Sequence, residues 1–150
     1  LDYIFYFHSR FSQNQYMEPT SYQPEYPLLT DRVQSSFIDG MVIIIMMFVF
    51  AAWLDRFDDA PSWLRIALFF GAWAIYEPLC TSLGGTIGNH VKGIRVRQHG
   101  DTNQKIKFFQ AFARYLVKIT LGWISFLTIH TNNERRAIHD MVAGSVMIRK

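Results

Sequence analysis

VQSSFIDGMVIIIMMFVFAAWL, residues 33–54, is 22 residues long and carries one charge, Asp39. A helix needs about 20 apolar residues to cross the hydrocarbon core of a bilayer, so this stretch is read as a membrane span. Arg32 and Asp55 bracket it, and Trp53 takes a position where amphipathic rings settle at the lipid–water interface. Two more apolar stretches follow. Trp63–Leu83 starts behind Pro61 and Ser62, a pair suited to a helix start. Past Arg65, which can snorkel to the surface, its only charge is Glu77, followed by Pro78, a residue that kinks a helix. Phe108–Ile129 is the third stretch. It holds Arg114 and Lys118, one helical turn apart, so that face cannot look at lipid.

Composition fits this reading once its distribution is considered. Half of the 150 residues are hydrophobic, with 13 Phe, 7 Tyr and 4 Trp. The mean hydropathy of +0.06 conceals strongly apolar segments set between polar ones, the pattern of a bilayer-embedded chain. The formal net charge of +3 is modest. It suits loops at an anionic membrane surface, and no aromatic-basic stripe of a nucleic-acid-binding kind accompanies it. A lone Cys80 excludes an intramolecular disulfide, a zinc cluster and a thiol redox pair. Residues 1–27, rich in Pro, Gln, Tyr and Ser, are expected to form a disordered polar leader. Residues 1–16, ahead of Met17, read as an upstream extension. The membrane domain is assigned to residues 28–150.

Basic residues set an expected sidedness. Lys92, Arg95, Arg97, Lys105 and Lys107 crowd the long loop, whereas the first loop balances Arg56 and Arg65 against Asp55, Asp58 and Asp59. The positive-inside tendency places the long loop and the N terminus in the cytoplasm, in a multi-pass inner-membrane protein. The tail, with Arg135, Arg136, Arg149 and Lys150, lands outside if the third segment spans once. It returns inside if that segment bends near Gly122 and re-enters. Charge bias favours the bend, and so does a predicted pairing of two strands, Gly93–Arg97 and Ser145–Arg149. The expected architecture is an all-α integral membrane domain: two transmembrane helices, a third spanning or re-entrant segment, and a small cytoplasmic β element.

Few residues can carry chemistry. Asp39, well inside an apolar helix, must pair, protonate or line a wet cavity. Arg32 lies two turns away on the same face, so a structural bridge to Arg32 or Arg114 stands beside an ion- or proton-handling role. Glu77 is either a cation ligand or an end-of-helix group near solvent. Arg114 and Lys118 either balance Asp39 and Glu77 or meet lipid headgroups. Asp140 caps its helix or pairs with Arg32, Arg135 or Arg136. Gly84, Gly88 and Gly93 allow bends and close backbone approach, and Gly84 and Gly88 fit the GxxxG spacing of packed helices. No phosphate-loop ending, metal-ligand spacing or nucleophile–base set is legible. No cofactor, no metal and no enzymatic activity are expected.

Three blocks in order resemble the RDD family, small bacterial membrane proteins named for one Arg and two Asp. DRVQSSFIDG supplies Arg32 and Asp39, TIGNHVKGIRV is similar to the family's T-x-G-K and G-x-x-V block, and RRAIHDMVAGSVMI is similar to its R-x-x-x-H-D-x-x-A-G-T-x-V ending, with Asp140 as the second Asp. Asn89 stands where the family usually has Lys, and Ser145 where it often has Thr. The resemblance implies the membrane fold and, for some members, a proposed cation/proton exchange. Two functional readings follow. In one, Asp39, with Glu77, exchanges a proton or cation while Arg32 and Arg114 tune it. In the other, Arg32, Asp39 and Asp140 are a structural charge network in a non-catalytic scaffold that binds lipid or a partner. Expected partners are membrane lipids and either a second copy of the chain or other membrane proteins, but not nucleic acid. A transporter this short would work as a homo-oligomer.

Overall fold

The computed structural model describes residues 24–57 and 60–150. Helix α1, Leu29–Leu54, runs 26 residues, about 39 Å at 1.5 Å per residue. Helix α2, Ser62–Leu83, returns antiparallel to it and continues unbroken through Pro78. A short helix α3, Ile87–Val91, strand β1, Ile94–Gln98, and helix α4, Phe108–Leu121, follow. A 3-10 segment covers Gly122–His130, and helix α5, Ile138–Val142, leads into strand β2, Ser145–Arg149. Leu29–Leu54, Ser62–Leu83 and the compound segment Phe108–His130 are each long and apolar enough to cross a membrane. The chain is a multi-pass helical membrane protein with a two-stranded sheet.

Why these segments bury so little is clear from what they expose. Phe37, Ile45, Phe48 and Val49 of α1 and Trp63, Ile66 and Phe70 of α2 point away from the bundle. In lipid that costs nothing, because hydrocarbon tails are as apolar as the side chains. The buried positions of α1 are Arg32, Ser35 and Asp39, with Leu54 at the far end. Spacings of three and four put the polar trio on one stripe, so the helix is inside out relative to a soluble one.

Gly122 ends α4 with φ of +52°, a conformation glycine adopts without the strain a side chain would bring. The chain turns there into the 3-10 segment, and the tail comes back toward α4. Thr128 Oγ1 donates to the Arg136 carbonyl at 2.9 Å, and Ser125 meets the ring of His139. β2 then pairs antiparallel with β1, from Ile94 opposite Arg149 to Gln98 opposite Ser145. Ile94, Val96, Met147, Ile106 and Ala111 form a small core between the sheet and α4. The strand pairing and the bend at Gly122 that the sequence suggested are both present, and the tail is tied to the same end of the bundle as β1.

Two sequence expectations need correction. Residues 24–27 do not belong to a loose leader: Pro27 is buried, and the Glu25 carbonyl accepts from the Arg149 amide at 2.8 Å. The remainder of that expectation, residues 1–23, lies outside the described residues. Gly84 and Gly88 are not a GxxxG face, because Gly84 terminates α2 at φ +128° and Gly88 belongs to α3. Arg65 reaches the surface as expected and there meets Asp55 at 2.8 Å across the exposed α1–α2 connection.

Candidate functional site

Polar side chains from the five helices and the 3-10 segment converge at the sheet end of the bundle. Asp140 is its centre and is fully buried. Arg32 from α1 donates to Oδ2 at 2.5 Å, and Arg114 from α4 donates through Nε to Oδ1 at 2.8 Å. The Ala137 amide, at the start of α5, adds a bond of 3.2 Å to Oδ2. Arg32 also reaches the Arg135 carbonyl at 2.5 Å, which fixes the turn before α5. One carboxylate thus ties the first spanning helix, the third segment and the tail together. Burial by itself would raise the proton affinity of Asp140; the guanidiniums of Arg114 and Arg32 outweigh it and hold the group well below the usual carboxylate range.

His139 completes this cluster. Its Nε2 lies 3.5 Å from an Arg114 nitrogen and 3.6 Å from Asp140 Oδ1, and its Nδ1 meets the Ser125 hydroxyl. Phe126 packs edge-on against the ring. Burial, opposed by Asp140 and reinforced by Arg114, pushes the imidazole down to about 3, so it is neutral at pH 7. Ser125, His139 and Asp140 stand together, but not as a nucleophile–base–orienter set. Asp140 is engaged by two arginines, and Ser125 is wholly buried.

Asp39 occupies a second cluster. The sequence reading offered Arg32 or Arg114 as its partner; both are committed to Asp140. Asp39 accepts instead from the Gly88 amide at 2.8 Å, the Tyr76 hydroxyl at 3.0 Å and the Thr86 hydroxyl at 2.6 Å. The two hydroxyls are themselves oriented, since the Ile87 amide donates to Tyr76 and the Asn89 amide to Thr86. All three amides belong to the first turn of α3, where helical N–H groups lack intrahelical acceptors. Asp39 and its two hydroxyl partners therefore satisfy that turn. Ser35 donates to Asn89 Oδ1 at 2.7 Å and latches α1 to α3 a second time. Gly88 permits the approach: a Cβ there would run into the Ser35 carbonyl and sit 2.9 Å from Asp39 Oδ2.

Glu77 pairs with Lys118, whose Nζ lies 2.7 and 2.9 Å from its two oxygens. This joins α2 to α4, as does the Tyr115 hydroxyl on the Trp73 carbonyl at 3.0 Å. Of the pairings the sequence offered, Arg32 with Asp140 and Lys118 with Glu77 are formed. Gly93, at φ +64°, makes the turn from α3 into β1. Asp39, Glu77, Arg114, Lys118 and His139 line one polar cavity of about 10 Å³, room for about a single water. Among the described residues no three His, Cys, Asp or Glu side chains gather as metal ligands would.

Ser35, Tyr76, Thr86 and Ser125 were not singled out from sequence, and Asn89 and His139 stood out there only as members of the family-like blocks. Ser35 carried a usable signal, falling between Arg32 and Asp39 at helical spacing. Thr86 carried another, as a threonine ahead of a short helix. Tyr76 and Ser125 carried none, because nothing local distinguishes them from lipid-facing neighbours.

Membrane-crossing helices pinned at one end by buried charge pairs define a polytopic membrane protein whose interior, not its surface, is polar. Comparison with known families agrees: the RDD family model matches residues 26–144, and the chain belongs to the RDD family. A Haemophilus influenzae protein, itself uncharacterized, is 32% identical over 72 residues, covering 44% of this chain and 46% of that protein. The chain thus spans about half the length of that curated relative. No solved structure matches it.

Proposed function

We propose that this chain is a non-catalytic membrane module in which the named Arg and two Asp are architecture: clamps that hold one end of a helix bundle together within lipid. The observation that carries this reading is saturation. Asp140 has two guanidiniums, Asp39 has three donors and Glu77 has a lysine, while the cavity between them admits about one water. An exchange site needs a group that can release its partners and a path to it. A clamp needs the opposite. The concentration of basic residues on the sheet end supports a cytoplasmic placement of that end in an inner membrane, and the wide apolar faces of α1 and α2 suit lipid, another membrane protein or a second copy.

Cation/proton exchange is the second reading. One observation favours it: Asp39 has no basic partner among the described residues and borders the polar cavity. Both readings are tested on wild type and Asp39→Asn in one experiment, measuring thermal stability in detergent and proton flux in proteoliposomes under sodium, potassium or lithium gradients. The clamp reading expects no flux from the wild type and a clear loss of stability in the variant, whose amide turns N–H groups toward other donors. Flux in the wild type that disappears in a folded Asp39→Asn protein would establish exchange and overturn it.

A further inference from the structure

We propose that the outer face of the β1–β2 sheet is a binding site for a phosphate group, supplied by the headgroup of an anionic lipid. Residues paired across an antiparallel ladder point to the same side. Ile94, Val96 and Met147 face the core, so Arg95 and Arg97, opposite Ile148 and Val146, face away from it. A concavity of about 610 Å³ opens there, lined by Arg95, Arg97, Lys150, Thr102, Asn103 and Ile148. Its wall is also formed by Arg149, but that guanidinium is held by Asp31 at 2.6 Å. The Arg95 guanidinium and the Lys150 ammonium have no carboxylate partner among the described residues. Arg97 spends one N–H on its neighbour's carbonyl at 3.1 Å. Burial, and then the adjacent Arg95 charge, lower the proton affinity of Arg97, and an anion in the concavity would relieve both.

The chemistry on offer is that of a phosphate binder. Two arginines two residues apart on a strand present forked donors suited to phosphate oxygens. A lysine adds a point charge, and Thr102 and Asn103 add neutral donors. Depth decides the source. The Val96 amide donates to the Gly84 carbonyl at 3.0 Å, and Gly84 directly follows the last residue of α2. The strand is therefore joined to the very end of a membrane-crossing helix, at the level where headgroups lie. A soluble phosphate offers the same oxygens without the anchor. The site rests on the membrane placement of the bundle and is independent of whether the buried charges clamp or exchange.

The test uses the full chain in neutral detergent and native mass spectrometry, with a short-chain phosphatidylglycerol, inorganic phosphate and chloride at matched ionic strength. The variants are Arg95→Gln with Arg97→Gln, and Lys150→Gln alone, a side-chain change that keeps the backbone bond of Lys150 to Gly93. Phosphatidylglycerol is expected to bind the wild type, to weaken about tenfold or more in the double variant and to weaken measurably in Lys150→Gln. Inorganic phosphate binding as tightly, and lost in the same variants, would keep the phosphate site but overturn the lipid source. Lipid binding that is equal in the wild type and in folded variants would overturn the site. Because none of these side chains touches Asp140 or Asp39, failure here leaves the clamp reading standing, and failure of the clamp reading leaves this one.

Discussion

The two ends of the bundle are built from different physics. At the sheet end, Arg32, Asp39, Arg114 and Asp140 are buried and joined by short, directional bonds. At the other end, between Met41 of α1 and Trp73 of α2, most large side chains face outward, and an exposed Arg65–Asp55 pair closes the connection. In water the second region would aggregate and the first would count as a defect. In lipid the assignment reverses. Apolar contact there gains little over contact with acyl chains, so polar bonds that cannot be made to solvent fix which helix faces which. The difference teaches that specificity in this fold lies at one end and membrane insertion at the other.

Removing the centre of the polar end is the strongest way to break that contrast. Asp140→Asn leaves Arg32 and Arg114 buried without an anion. A loss of about 3–5 kcal/mol is expected, read as a steep fall in thermal stability or in the yield of monodisperse protein. A stable Asp140→Asn protein would show that the clamp does not hold the bundle.

Acid sharpens the comparison. His139 is held neutral down to about 3 in the fold, whereas an unfolded histidine takes up its proton near 6.5. The unfolded state therefore binds more protons throughout that interval, and stability falls as pH drops from about 6.5 toward 3. Asp140, held below the usual carboxylate range, adds slope only from about pH 5 downward, where the unfolded carboxylate begins to take up its proton. Unfolding midpoints at pH 7 and pH 4.5, compared between the wild type and His139→Asn, should show a smaller pH difference in the variant.

Gly88→Ala probes packing within the polar end. The new methyl group meets the Ser35 carbonyl, and α3 must withdraw from α1 at a cost of about 1–3 kcal/mol. Thermal melts would register it, and an unchanged melt would mean that the helices are not in close contact. The smallest effect is expected at the apolar end. Phe48→Ala, at a side chain 72% exposed, should change stability by under about 0.5 kcal/mol in detergent. A large loss there would reveal a protein partner, such as a second copy, on that face.

The sequence by itself determined the membrane spans, because apolar length and charge spacing are local properties that a bilayer reads directly. It also carried the paired strands at 94–97 and 145–149 and the family, through three ordered blocks. It flagged Arg32, Asp39, Glu77, Arg114 and Asp140, since a charge inside an apolar run stands out without coordinates. Only the tertiary structure decided their partners. Arg32 and Asp39 share a helix face, yet Arg32 turns to Asp140, 108 positions away, and Asp39 turns to the first turn of α3. Helical periodicity fixes which face a residue occupies, but the choice among equally charged acceptors depends on which elements the bend at Gly122 brings within reach. That bend returns the tail to Arg32 and Arg114, which lie 108 and 26 positions from Asp140.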